Sequence, residues 1–594
     1  MTSSTTKPRK QRLSTPVRPP AAKHQSSNTI FSKLAKLFKD HPKLVGSLVS
    51  LSPIIIYLAL SLLYFGPPAF AAIRHSMFNA GPDSQLIMWS LNWWPFSLVH
   101  HLNPFYTRYI WAPQGFNLTW ATSVPTLALL LAPISWLFGA LASYNVLAVT
   151  GLALSALSCF YLVRYLTKNY WSALLAGYIF GFSSYQLGQY VGHPSLYITA
   201  LIPLLILVYL LRLHGKIKRA TFIGLACVLD VLQFGISNEV FASFMAFSFI
   251  SLLLFYLLSN QAQRKILLKT TIEFYLATIL ACIILAPYFY YFLKGLKTAP
   301  VVINSPEGFS TDILNFIIPT PITKLGSGQF IGTALRFTGN FSEDGAYLGI
   351  PLLLVLAYYS IRNWRKYYVK ALVTSLVLLM IFTLGPVLQI YGKSTHIPLP
   401  WYIAAHLPLI KSALPDRFTM FISLLAAIMV GLWLSLKSNF RTTVFKYLVV
   451  IVCIIFLIPN VAQYHWQNVS APLVFQPKTI SKYIKKDSNI VVLPYGILGS
   501  SMYDQYVSNM WFTQAGGYIG FTPNGFSGNP VVETFLGASV SPNFTSELYS
   551  FCIANRVSQI IYTPLTSLQL IKAVNETGWA EQRVGNSILV SVPK

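Results

Sequence analysis

The chain has 594 residues, of which 54% are hydrophobic and only 10% charged, with a formal net charge of +27. Soluble domains carry about 25% charged residues, so this composition excludes an ordinary water-soluble globule. The positive balance does not point to nucleic acid, because the basic residues sit in short loops between apolar runs, where membrane topology places them.

The first segment, Met1–Lys43, is rich in Lys, Arg, Ser and Pro and holds one acid, Asp40. It is expected to be a disordered cytoplasmic tail held at the inner membrane face by charge. Twelve apolar runs follow, from Leu44–Phe65 to Val444–Pro459. If all twelve crossed, Leu213–Ala220 ("LHGKIKRA") and the loops at Arg264–Lys265 and Arg362–Lys366 would lie outside, against the positive-inside rule. One change repairs this. Val124–Gly139 is short and carries Pro125 and Pro133. Laid along the interface or re-entering, it leaves eleven spans and turns every basic loop cytoplasmic. The expected fold is therefore an α-helical polytopic membrane protein, with about eleven transmembrane helices and interfacial or re-entrant helices in the first outer loop. The transmembrane domain is expected over residues 44–460, with its outer loop at 66–123.

Beyond Asn460 the pattern changes. "NIVVLPYG" (Asn489–Gly496), "QIIYT" (Gln559–Thr563) and "SILVSVP" (Ser587–Pro593) read as strands between turns. "PKTISKYIKKD" before them reads as an amphipathic helix. Residues 461–594 are expected to form a soluble α/β domain outside the membrane. Asn117, Asn468, Asn543 and Asn575 begin N-x-S/T sequons, all on this outer side. The five cysteines contain no C-x-x-C pair, so neither a zinc site nor a disulfide framework is expected.

Under the eleven-span topology the unusual ionisable residues share one side. Asp83 stands in "NAGPDSQLIMWSLNWWPFSLVHHLNPF", His193 in "GQYVGHPS", Glu239 in "GISNEVFASF", Glu343 and Asp344 in "NFSEDGAYLGIP", and Asp416 and Arg417 in "LPDRF". Ionisable groups at membrane depth or its edge are costly, so they point to function. Each also has a plain reading: Asp83 as an N-cap, Glu239 as a partner of a helix dipole, His193 as a loop residue, Glu343 and Asp344 as a solvated helix start, Asp416 and Arg417 as a local pair. The run Trp89, Trp93, Trp94 and Phe96 is most simply an interface belt.

An acid in the first outer loop, followed by this ordered series of segments, resembles the GT-C superfamily of multi-spanning glycosyltransferases. More closely, the chain is similar to a bacterial subgroup with this long loop. "APISWLFGALASYN", "GFSSYQLGQYVGHPSL", "EDGAYLGIPLL" and "QAGGY" (Gln514–Tyr518) continue the match. The resemblance implies transfer of a sugar from a polyprenyl-phosphate donor to a glycolipid, polysaccharide or protein acceptor, on the outer face of a bacterial plasma membrane. It implies Asp83 as the catalytic base. Arg417 is expected at the departing phosphate, since a guanidinium matches phosphate oxygens. His193 is expected at that phosphate or the sugar. Glu239, Glu343 and Asp344 are expected to orient sugar hydroxyls, and Trp93 and Trp94 to stack on a sugar face or line the lipid entry. In one respect the chain departs from the pattern. Many relatives carry two acids in this loop, whereas Asp83 is followed by Ser84 and Gln85, so no cofactor is expected and a metal pair is in doubt. A transporter or flippase of a lipid-linked sugar is the main alternative; an envelope assembly protein is a third.

Overall fold

The computed structural model describes residues 1–4, 42–296, 304–406 and 413–593. The expected basic tail lies almost entirely outside the described residues. Two compact units are present, Met1–Ser52 and Pro53–Lys594. In the first, the described structure is the opening of the Pro42–Phe65 helix. Everything below concerns the second.

Among the described residues six helices are long and apolar enough to cross a membrane: Ala140–Thr167, Pro194–Leu213, Arg219–Ile236, Asn238–Leu258, Gln261–Ile284 and Pro415–Leu434. Leu51–Phe65, Ile350–Asn363 and Tyr367–Thr383 are shorter apolar helices. Helices satisfy their own backbone in lipid, and this set makes the protein an integral, multi-pass membrane protein.

Several expected runs are interrupted for visible local reasons. Trp171–Leu187 is broken into Tyr170–Gly181 and Ser184–Gln189. The break comes at Ser183, whose hydroxyl accepts from the Gln186 amide and starts a new helix. Leu372–Ile390 stops at Thr383, before Gly385 at φ +77°. Val124–Gly139 consists of two short helices, Pro125–Leu130 and Ala132–Phe138, with Pro133 in the first turn of the second. Each is far below the roughly 20 residues a span requires.

Small residues let the helices meet closely. Ala140–Thr167 packs on Tyr170–Gly181, and a Cβ added at Gly181 would lie 2.4 Å from the Ala156 Cβ. The segment after the Pro42–Phe65 helix is tied to the C-terminal region by a short antiparallel ladder, Ser76–Phe78 on Trp466–Asn468. The Pro82–Val99 helix is buried on nearly all sides rather than lying exposed at an interface, with Trp89 and Trp93 almost inaccessible. The C-terminal region covers it: the Trp89 Nε1 donates to Gln505 Oε1 at 2.9 Å, and Gln505 Nε2 donates to the Tyr109 carbonyl at 2.8 Å.

The three strand-like runs near the C-terminus are strands. They join two further strands in one mixed sheet: β1 (Asn489–Leu493), β2 (Thr513–Gln514), β3 (Val557–Tyr562), β4 (Glu581–Val584) and β5 (Ser587–Ser591). The order is β4-β5-β3-β1-β2, with β1 parallel to β2 and β3, and β5 antiparallel to both of its neighbours. The expected amphipathic helix before β1 is reduced to one turn, Ile480–Tyr483.

Candidate active site

Asp83 is the second residue of the Pro82–Val99 helix. Pro82 presets the first turn, and the N-cap is Gly81, with no side-chain bond. Asp83 is therefore not the cap, and its carboxyl is free to face other elements. The neighbouring Ser84 anchors the helix start, donating to the Asn79 carbonyl at 2.6 Å and accepting from the Tyr144 hydroxyl at 2.8 Å. Asp83 Oδ1 accepts from the Tyr518 hydroxyl at 3.0 Å, and Oδ2 lies 3.5 Å from His193 Nε2. The Asp83 side chain is 43% exposed, so the carboxylate is reachable.

From His193 a continuous polar chain runs inward. His193 Nδ1 is 3.0 Å from Gln189 Oε1, and Gln189 Nε2 donates to Glu343 Oε2 at 2.7 Å and to the Ser342 carbonyl at 3.0 Å. Glu343 accepts from Arg417 Nε at 3.0 Å and also from Nη2. Arg417 Nη1 donates to Glu239 Oε2 at 2.6 Å. Asp83, His193, Glu343, Arg417 and Glu239 are thus brought together by three separate helices and two connecting segments. Glu239 is in the first turn of its helix, whose cap is Ser237. Helix-dipole stabilisation is available to it, but its carboxylate is also engaged by Arg417.

The electrostatics follow from this geometry. Burial pushes the Asp83 carboxyl up. His193, through its hydrogen bond and charge, outweighs that push together with the Tyr518 hydroxyl and the Arg417 charge, leaving the group below the usual carboxylate range. For Glu343 too, burial raises the carboxyl and Arg417, His193 and Gln189 more than reverse it. Asp344 is different: burial, then the charges of Glu343 and Asp312, push it well above the ordinary range. Asp416, also buried, has no hydrogen-bond partner at either carboxyl oxygen among the described residues.

Three expectations change. Trp93 stacks on Trp89 at 5.3 Å, donates to the Pro104 carbonyl and is 1% exposed; Trp94 packs edge-on against Phe105. Both rings are enclosed in the core, so neither presents a face to a sugar, and the aromatic run is not an interface belt. Arg417, expected at a phosphate, has its guanidinium fork occupied by two carboxylates.

Sequence reasoning missed Gln189 and Tyr518 as participants, although both lie in segments singled out above. Gln189 precedes His193 by one helical turn, the spacing at which side chains meet. Tyr518 is delivered by main-chain bonds: Trp111 N to the Gly516 carbonyl, Ala112 N to the Gln514 carbonyl and Gln514 N to the Tyr109 carbonyl, all 2.8–3.0 Å. The paired glycines are needed here. A Cβ on Gly516 would lie 2.6 Å from the Tyr495 ring, and Gly517 has φ +120°. Among the described residues no three His, Cys, Asp or Glu side chains are grouped to hold a metal ion.

The chain resembles arabinofuranosyltransferase AftD from Mycobacteria at a TM-score of 0.54, with 12% identity over 92% of this chain and 42% of that one. The protein therefore spans less than half the length of AftD, and the likeness is one of fold. The oligosaccharyltransferase AglB from Archaeoglobus fulgidus, in complex with an inhibitory peptide and a dolichol-phosphate, gives a TM-score of 0.45 at 12% identity, over 86% of this chain and 69% of that one. The same oligosaccharyltransferase in the apo form gives 0.48 at 11% identity, with the same coverage. No curated protein matches the chain by sequence. Residues 54–461 match the model of the family described as Domain of unknown function, DUF6311. That span covers more than half of the chain and includes Asp83, Gln189, His193, Glu239, Glu343 and Arg417, so the protein belongs to the DUF6311 family.

Proposed function

We propose that this protein is a membrane glycosyltransferase that moves a sugar from a polyprenyl-phosphate donor to a glycolipid, polysaccharide or protein acceptor on the outer face of the membrane. The observation that carries this reading is Asp83, a reachable carboxylate held ionised between His193 and Tyr518 at the end of a buried ionic chain. In the reaction the acceptor oxygen attacks the anomeric carbon and its proton passes to Asp83. The bond from that carbon to the phosphate oxygen breaks, and its electron pair stays on the phosphate. A single displacement inverts the anomeric centre. Arg417 holds Glu343 and Glu239 in place, and His193 is the ring beside Asp83 that can donate a hydrogen bond to the departing phosphate. The test incubates the purified full chain in lipid with a panel of radiolabelled polyprenyl-phosphate sugars and membrane extract. Incorporation into product supports the reading; no transfer from any donor of this class sinks it.

The low-lying carboxyl of Asp83 sets the pH response. A base works only when ionised, so transfer persists as pH falls through the usual carboxylate range and is lost below it. Tyr518→Phe removes one of the groups that hold the carboxyl down, and the acidic limb of the pH–rate profile moves to higher pH. An unmoved limb would show that Tyr518 does not act on Asp83.

The reading also needs Asp83 on the outer face. In the eleven-span topology the amino terminus is cytoplasmic, residues 461–594 are outside and the loop at Lys216 is cytoplasmic. In cells, Lys216→Cys is expected to react with a thiol reagent only after the membrane is made permeable. Labelling from outside refutes the topology.

A further inference from the structure

His193 faces Gln189 with one ring nitrogen and Asp83 with the other. The orientation of the Gln189 amide is settled by its surroundings. Nε2 stands 2.7 Å from Glu343 Oε2 and 3.0 Å from the Ser342 carbonyl oxygen. Glu343 is already ionised against Arg417, so both neighbours only accept. Turned over, the amide would set its oxygen against both of them. Oε1 therefore points to His193 Nδ1 at 3.0 Å, and since Oε1 has no proton to give, Nδ1 is the donor.

This leaves Nε2 facing Asp83 Oδ2 across 3.5 Å. A bare ring nitrogen opposite a carboxylate oxygen sets lone pair against lone pair. One proton in the gap removes the conflict, whether it sits on the nitrogen beside an ionised Asp83 or on the carboxyl beside a neutral ring. The charged and titratable groups around the pair are Tyr518 on Asp83 from the C-terminal region, Tyr144 from the Ala140–Thr167 helix, Glu343 from the loop before Ile350–Asn363, and Arg417 behind Glu343, itself paired with Glu239.

We infer that Gln189 is a positioning residue that pins His193 as its Nδ1–H form, so that His193 and Asp83 share one proton and act as a single dyad. The consequence for transfer rests on the glycosyltransferase reading; the tautomer does not. During transfer the acceptor proton goes to the Asp83 carboxylate, and the proton on His193 Nε2 faces the electron pair arriving on the phosphate. Once the product leaves, Asp83 returns its proton to water.

The test uses the full chain, labelled with 15N-histidine, in lipid nanodiscs. A His193→Gln variant identifies the His193 signals among the ten histidines. In the wild type, Nδ1 is expected to carry a proton. In Gln189→Leu the acceptor is gone, and the neutral ring is expected to switch to its Nε2–H form, bonded to Asp83. Unchanged signals from the other histidines show that the variant is folded. An unprotonated Nδ1 in the wild type overturns the inference, and so does the same tautomer in both proteins. With a donor in hand, Gln189→Leu is expected to lower kcat about tenfold or more with little change in KM, as when the partner that orients a catalytic histidine is removed. If the tautomer switches as stated but the wild type transfers no sugar from any donor, the role of Gln189 stands and the glycosyltransferase reading falls.

Discussion

Asp83→Asn is expected to lower sugar transfer by about 10²–10⁴-fold, the range supplied by a positioned general base. The substitution keeps the size and shape of the side chain. The Tyr518 hydroxyl can still donate to the remaining oxygen, and the Ser84 anchors to Asn79 and Tyr144 are untouched. The loss is therefore one of proton acceptance rather than of fold, and an unchanged melting temperature verifies it. KM for the donor should change little, because the amide preserves the contour of the site. Gln85→Ala, on the same helix but outside the polar chain, serves as the control with ordinary transfer. Full activity in Asp83→Asn would remove the base from the mechanism. It would also favour a flippase, which needs no proton acceptor at this point.

The second large effect is on stability. Arg417→Ala strands the Glu343 carboxylate, which is 4% exposed, and Glu239, whose second oxygen is enclosed without a partner among the described residues. Removing one member of a buried pair leaves an uncompensated charge and costs about 3–5 kcal/mol. Unfolding of the purified protein in detergent, followed by heat or denaturant, measures it. Arg417→Lys should recover only part of the loss, because an ammonium cannot make the paired bonds that the guanidinium makes to Glu343. Wild-type stability in Arg417→Ala would show that the chain of ion pairs does not hold the site together. This effect and that of Asp83→Asn are separable: one lowers the melting point, the other the rate.

The two outcomes mirror how the site is built. The far end, Glu343–Arg417–Glu239, is a closed electrostatic brace in which one guanidinium holds two carboxylates. The near end, Asp83 with His193 and Tyr518, is open to solvent. Gln189 joins them, and it can do so because an amide both donates and accepts. A carboxylate at that position would oppose Glu343, and an aliphatic side chain would break the connection.

Much of the membrane architecture was legible because it depends on local quantities. A hydrophobic run spans or does not according to its length and composition, and Val124–Gly139 could be set apart from its prolines and its neighbours' charge. The same locality explains the errors. Ser183 reads as one polar residue in an apolar run, yet by accepting from the Gln186 amide it ends one helix and begins another. The tryptophans of the Pro82–Val99 helix read as an interface belt because that composition suits an interface. Only the cover supplied by Gln505 and its neighbours, more than 400 positions along the chain, makes them core.

By itself the sequence determined the class of protein and the residues worth suspecting. A charge in an apolar setting is costly whatever the fold, so Asp83, His193, Glu239, Glu343 and Arg417 stood out without knowledge of their contacts. Only the tertiary structure decided that these five meet, that Asp344 is buried beside Glu343, and that Trp93 and Trp94 belong to the core. It also brought Tyr518 to Asp83 across 435 positions of chain. Cost is a property of a residue and its near neighbours, whereas a hydrogen bond is a property of two groups brought together by packing, and no spacing in the sequence encodes it.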